Sequence, residues 1–142
     1  MARAGSGLCR ELAGEACITM RYLRYALALF FIFAGINHFL RAALYVSVIP
    51  RWVPFPEAAN WVSGAAEVAG GIGVLGRPTR RAAAWGLIAL LAAVFPANID
   101  MALHGVPGHR IPGWALWARL PFQLVFVAWV YFSCLWRGKW ER

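Results

Sequence analysis

The sequence predicts an all-α membrane protein, a bundle of four transmembrane helices with both termini in the cytoplasm. Hydrophobic residues make up 61% of its 142 residues and charged residues only 14%, whereas a soluble domain carries about 25% charged residues. A chain this short buries too small a share of its surface to hide so much apolar area inside a soluble globule. The composition therefore argues against a soluble domain, a disordered chain and a disulfide scaffold.

Four apolar segments approach the roughly 20 residues that a spanning helix needs. They cover about residues 22–39, 58–75, 82–98 and 114–136. The second segment is the least apolar because Gly, Ala and Glu67 dilute it, although small residues favour close contact between membrane helices. Three spans with a re-entrant second segment are the alternative.

The basic residues predict the orientation of these spans. With both termini on one side, ten basic residues fall on that side and three on the other. The ten are Arg3, Arg10, Arg21, Arg24, Arg77, Arg80, Arg81, Arg137, Lys139 and Arg142, and the three are Arg41, Arg51 and Arg110. By the positive-inside rule, both termini then lie in the cytoplasm of a bacterium whose inner membrane holds the protein. The formal charge of +8 is explained by anionic lipid headgroups, so no nucleic-acid partner is predicted.

The chain is predicted to contain one domain, residues 20–142, behind a polar tail. Residues 1–19 lack order-forming features, and Met20 offers an alternative start. We therefore expect the tail to be disordered or not native.

Each predicted span carries polar residues toward the same, outer leaflet, where they are costly unless they are paired. Glu67 and Arg119 lie at overlapping depths, on the order of 8–14 Å below the boundary at about 1.5 Å per residue. We expect them to form an ion pair that His38 can hydrogen-bond. Gly64 and Gly71 share the helical face of Glu67 and would let a neighbouring backbone approach it.

Such an ion pair either fixes the helix register or belongs to a ligand or proton site. The complete set of candidate site residues is Asn37, His38, Glu67, Asn98, Arg119 and Gln123. For Asn37 and Asn98, hydrogen bonding at helix ends is the competing interpretation, with Pro96 and Pro121 freeing backbone carbonyls.

No cofactor or metal is predicted. Asp100, His104 and His109 follow a spacing that is not a recognised ligand pattern, and no phosphate loop or Ser/His/Asp arrangement is present. The three cysteines form no C-x-x-C motif, which argues against dithiol exchange.

Several segments together resemble the DoxX-like family of small integral membrane proteins. They are FxxAGINHF from Phe31, IPRWVPFP from Ile49, SGAAEVAGGIGVL from Ser63, AAWGLIALLAAVFPANIDM from Ala83 and WxRLPFQ from Trp117. The resemblance covers about residues 20–136 and implies a four-helix membrane bundle. It singles out the same six candidate site residues, and it implies a redox partner protein for some members.

Three functions are compatible with these observations. The first, which we favour, is a membrane protein that is not catalytic by itself and whose outer-leaflet polar pocket binds a small or lipophilic molecule or a partner protein. The second is a membrane subunit of a quinone-linked oxidoreductase, with His38 and Glu67 conducting protons. The third is a transport or chaperone-like role in a homo-oligomer that uses the glycine-rich second helix.

Overall fold

The computed structural model describes residues 2–106, 108 and 110–136, and this part of the chain is helical without strands. The all-α prediction is confirmed for these residues. The elements are α1 (Ala2–Leu40), α2 (Ala42–Ser47), α3 (Pro56–Gly73), α4 (Arg80–His104) and α5 (Gly113–Val130), followed by a π-helical turn (Tyr131–Leu135).

In the described part of the chain, three helical stretches are long and apolar enough to cross a membrane: Ile18–Leu40, Arg80–His104 and Gly113–Leu135. Their outward faces carry large exposed apolar side chains such as Leu29, Phe33 and Leu124. Exposed apolar surface of this extent is disfavoured in water and favoured in lipid. The chain is thus built as a multi-pass membrane protein.

The helix boundaries follow the prolines and glycines. Phe55, in a left-handed conformation with φ of 52°, precedes α3, and Pro56 occupies the first turn of that helix, where its missing N–H costs nothing. Gly105 ends α4 with φ of 73°, a conformation that suits glycine. At the other terminus, α1 begins at Ala2. The backbone of residues 2–19 is therefore part of this helix, whereas the sequence predicted a separate tail there.

Helices α1 and α3 pack closely against each other. A Cβ added to Gly64 would lie 2.6 Å from the Cβ of His38 and 3.0 Å from the carbonyl oxygen of Gly35. Seven residues further on, a Cβ on Gly71 would lie 2.9 Å from the carbonyl oxygen of Ala28. The predicted close approach of a neighbouring backbone to the Gly64–Gly71 face is therefore confirmed, and the neighbour is α1.

Two hydrophobic clusters close the ends of the bundle. At one end, Leu27, Phe31, Val74, Leu87 and Val130 are buried together. There the π-helical turn also ties α5 to α1, because the Ser133 carbonyl accepts a hydrogen bond from Arg24 Nε at 3.1 Å.

The opposite cluster contains Met101, Val106 and Leu116, with Val48, which follows α2, packed against it. This contact brings together the end of α4, the start of α5 and the segment after α2. We call this part of the molecule the α2 end.

Candidate functional site

His38 and Asn60 form a reciprocal pair at the α2 end, between α1 and α3. The Asn60 side-chain amide donates to the His38 carbonyl oxygen at 2.9 Å, and Asn60 Oδ1 lies 2.8 Å from His38 Nδ1. The carbonyls in the last turn of a helix have no partner within the helix, so Asn60 caps α1 from α3. Only 1% of the Asn60 surface is exposed, and the two hydrogen bonds satisfy its amide.

Glu67 lies on the other side of the imidazole. Its Oε2 atom is 3.7 Å from His38 Nε2, and this oxygen is buried without a hydrogen-bond partner among the described residues. The ring of Tyr45 covers the imidazole, with ring centroids 4.0 Å apart. We call His38, Tyr45, Asn60 and Glu67 the His38 cluster.

The electrostatics of Tyr45 link this cluster to α5. Burial raises the pKa of the Tyr45 phenol above its usual value, and the charge of Glu67 raises it further. The guanidinium groups of Arg119 and Arg41 act in the opposite direction on the same pKa. The phenol therefore stays protonated at neutral pH and remains a hydrogen-bond donor.

A second polar group, the Gln123 cluster, joins α4 to α5. Asn98 Nδ2 donates to Gln123 Oε1 at 2.8 Å, and the Gln123 amide donates to the Leu91 carbonyl oxygen. Gln123 is 5% exposed, so these hydrogen bonds satisfy a buried amide between two membrane helices.

Beside the Gln123 cluster, an open groove of about 420 Å³ runs between α4 and α5. Its wall is apolar for most of its length, with Arg119, Asn98 and Gln123 as the polar members. The apolar lining residues are Leu91, Val94, Trp114, Ala115, Ala118, Phe122 and Phe126. Arg119 is exposed, and its Nη1 contacts the sulfur of Met101 at 3.6 Å, which is a weak acceptor for a charged donor.

The predicted ion pair between Glu67 and Arg119 is wrong. Among the described residues, Glu67 is paired with His38, and Arg119 contacts Met101. The reason is the packing order, because the glycine face that carries Glu67 lies against α1, whereas Arg119 projects from α5 beside α4. The two charges share the α2 end and both act on Tyr45, but they do not touch.

The other described candidates belong to neither cluster. The Asn37 carbonyl accepts from the Arg41 backbone N–H, but within the described part of the chain its side chain joins neither cluster. His104 lies 3.2 Å from Asp100 in an exposed i, i+4 pair, and His109 lies outside the described residues. No group of three potential metal ligands occurs among the residues that were described.

The sequence reasoning missed Asn60 and Tyr45. Asn60 had a usable signal, because residues 60, 64, 67 and 71 share one helical face and place Asn60 beside the glycines and Glu67. Tyr45 had none, since its position depends on how the short helix α2 folds back over α1.

Fold and site together define a multi-pass helical membrane protein with two polar clusters and a groove at one end. The chain belongs to the family described as a domain of unknown function (DUF8561), whose model matches residues 27–134. That match includes every residue of both clusters. No curated protein and no solved structure matches the chain.

Proposed function

We propose that this protein binds a lipophilic molecule with an oxygen-bearing polar head, in the groove between α4 and α5. The observation that carries the proposal is the exposed guanidinium of Arg119 on the rim of an apolar groove. Among the described residues, this guanidinium contacts the thioether sulfur of Met101. A guanidinium in such a place gains most from an oxygen acceptor, whether charged or neutral. The apolar wall then takes the hydrocarbon part of the same molecule.

Asn98 and Gln123 support this proposal in a different way. Their amides are already engaged with each other and with the Leu91 carbonyl. They hold α4 and α5 at a fixed distance and so keep the groove open. The groove is thereby formed before a ligand arrives, which lowers the cost of binding.

The proposed setting is a bacterial inner membrane, with the α2 end toward the outer leaflet and both termini in the cytoplasm. The distribution of basic residues supports this orientation. We further propose that α3 is a fourth span. It has 18 residues, about 27 Å at 1.5 Å per residue, and it exposes Trp61, Val62 and Ile72. Its glycines and Glu67 lower its hydropathy, but Gly64 and Gly71 lie against α1 rather than lipid.

Resemblance to the DoxX-like family supports the same four-helix arrangement. Under this proposal the protein is not catalytic by itself. The proposal requires neither a homo-oligomer nor a partner protein.

Native mass spectrometry of protein purified from its own membranes in a mild detergent tests the proposal. We expect the wild type to retain a small lipophilic molecule, and Arg119→Gln and Ala118→Phe to lose it. Ala128→Phe, on the same helix but away from the groove lining, is the matched control and should retain it. Equal retention by all four proteins would contradict the proposal.

The quinone-linked alternative predicts the identity of the retained molecule. A quinone has carbonyl oxygens for Arg119 and an isoprenoid tail for the groove. A retained mass equal to that of the membrane quinone would favour a subunit of a quinone-linked oxidoreductase. A polypeptide that co-purifies in place of a small molecule would instead indicate a partner protein.

A further inference from the structure

Asn60 fixes the tautomer of His38. Its amide nitrogen donates to the His38 carbonyl, so its oxygen must be the atom that faces Nδ1 at 2.8 Å. Turning the amide over would oppose two oxygens inside a buried site, which is strongly unfavourable. An amide oxygen only accepts hydrogen bonds, and Nδ1 therefore carries a hydrogen.

The other ring nitrogen, Nε2, lies 3.7 Å from Glu67 Oε2. In a neutral imidazole it is a bare acceptor, and a protonated Glu67 would supply the proton between them. In a charged imidazolium it carries the proton itself and faces a carboxylate. Both arrangements hold one proton on the pair, on Nε2 or on Oε2, and in both the pair has zero net charge.

We propose that His38 and Glu67 form a proton-binding site that holds one proton, carried by either Nε2 or Oε2, two atoms that lie 3.7 Å apart. Moving this proton from Glu67 to His38 breaks the O–H bond of the carboxylic acid and forms the N–H bond of the imidazolium. It requires the two atoms to approach to hydrogen-bond distance but no other reactant. Adding a second proton or removing the first leaves a net charge in a half-buried site next to lipid, which burial disfavours. This site concerns the proton and does not depend on a ligand in the groove.

In the part of the chain that the structure describes, the groups around His38 and Glu67 form no further ion pair with either residue. Tyr45, from α2, covers the imidazole and presents a neutral phenol. The guanidinium groups of Arg41 and Arg119 act on that phenol, and among the described residues neither forms an ion pair with Glu67. The side chains of His38 and Glu67 are only 15% and 17% exposed, and the Glu67 Oε2 atom is itself buried.

Two spectroscopic measurements on the full chain in lipid nanodiscs test this site at pH 7. Nitrogen NMR of ¹⁵N-labelled histidine reports the hydrogen on each ring nitrogen, with His104→Gln and His109→Gln variants to assign the signals. Infrared spectroscopy reports the carbonyl band of a protonated carboxylic acid, which is assigned to Glu67 if it is lost in Glu67→Gln.

We expect Nδ1 of His38 to carry a hydrogen. We also expect a proton either on Nε2 or on the Glu67 carboxyl group, but not on both. Either Nε2 is protonated and the acid band is absent, or Nε2 is bare and the acid band is present. The proposal is overturned if Nδ1 is bare, if Nε2 and Glu67 are both protonated, or if neither is. The last result would also be found if a sodium ion, rather than a proton, occupied the pair.

His104 and Asp100 provide an internal control in the same spectra. Their atoms are 3.2 Å apart, but the His104 side chain is 72% exposed, and within the described part of the chain no amide holds its second nitrogen. We therefore expect the His104 ring to show a mixture of the two tautomers. Asn60→Leu should give His38 a mixture of tautomers, and a single unchanged tautomer in that variant would contradict the role assigned to Asn60.

Discussion

Asn60 and His38 are joined by two hydrogen bonds, one to the backbone of α1 and one to the imidazole ring, at 2.9 Å and 2.8 Å. The same asparagine thus caps a helix and orients a titratable side chain. This double role connects the fold to the site, because the helix packing that buries Asn60 also directs His38 Nε2 toward Glu67.

Replacing Asn60 by Ala should destabilise the protein. The change leaves the His38 carbonyl and Nδ1 without partners in a buried place, and we expect a loss of about 1–3 kcal/mol in the free energy of unfolding. Unfolding in mixed micelles of increasing SDS content measures it. Asn37→Ala is the control, and a loss as large as that of Asn60→Ala would indicate that the two hydrogen bonds add nothing specific.

Replacing Gly64 by Ala should separate α1 from α3. The new Cβ would clash with the His38 Cβ at 2.6 Å, and overpacking of this kind costs about 1–3 kcal/mol. Gly86→Ala is the matched control, because nothing lies within 4 Å of a Cβ added there. Alanine is favoured over glycine in a helix by about 1 kcal/mol. Gly86→Ala should therefore melt at the same temperature as the wild type or a higher one, and Gly64→Ala at a lower one. Equal melting temperatures for both variants would contradict the close packing.

The Asn98–Gln123 contact should show a modest coupling energy. The contribution of an interhelical hydrogen bond to stability in a membrane averages about 0.6 kcal/mol, because the polar groups of the unfolded chain in the membrane also find partners. A double-mutant cycle with Asn98→Ala and Gln123→Ala measures the coupling directly. A coupling indistinguishable from zero would show that the two amides do not hold α4 and α5 together.

The fourth span can be tested by placing single thiols at the two ends of α3. In a chain whose own cysteines are replaced by serine, the thiol of Glu57→Cys should react with an impermeant maleimide in intact spheroplasts. The thiol of Thr79→Cys should react only after the membrane is opened. If α3 does not cross, both thiols lie on one side, and equal labelling before opening would favour a re-entrant segment.

Periodicity and hydropathy predict much of this architecture. The apolar runs correspond to α1, α3, α4 and α5, and the spacing of Gly64 and Gly71 predicted a close helix contact that the structure has. Residue counting gave overlapping depths for Glu67 and Arg119, with His38 able to hydrogen-bond either of them, and the structure places Glu67 Oε2 3.7 Å from His38 Nε2.

The partner of Glu67 could not be obtained in this way. Counting residues along a helix gives the depth of a side chain but not the direction in which it points across the bundle. Arg119 was the predicted partner, and the packing order of the helices places His38 beside Glu67 instead. The groove was likewise beyond the sequence, since it depends on how far apart α4 and α5 lie.

Photo-crosslinking with a diazirine-labelled fatty acid, followed by peptide mapping, tests the binding groove most directly. The account predicts adducts on α4 and α5, concentrated at residues 114–126, and their loss in Ala118→Phe but not in Ala128→Phe. Adducts spread evenly over the outward faces of α1, α3, α4 and α5, unchanged in Ala118→Phe, would contradict it.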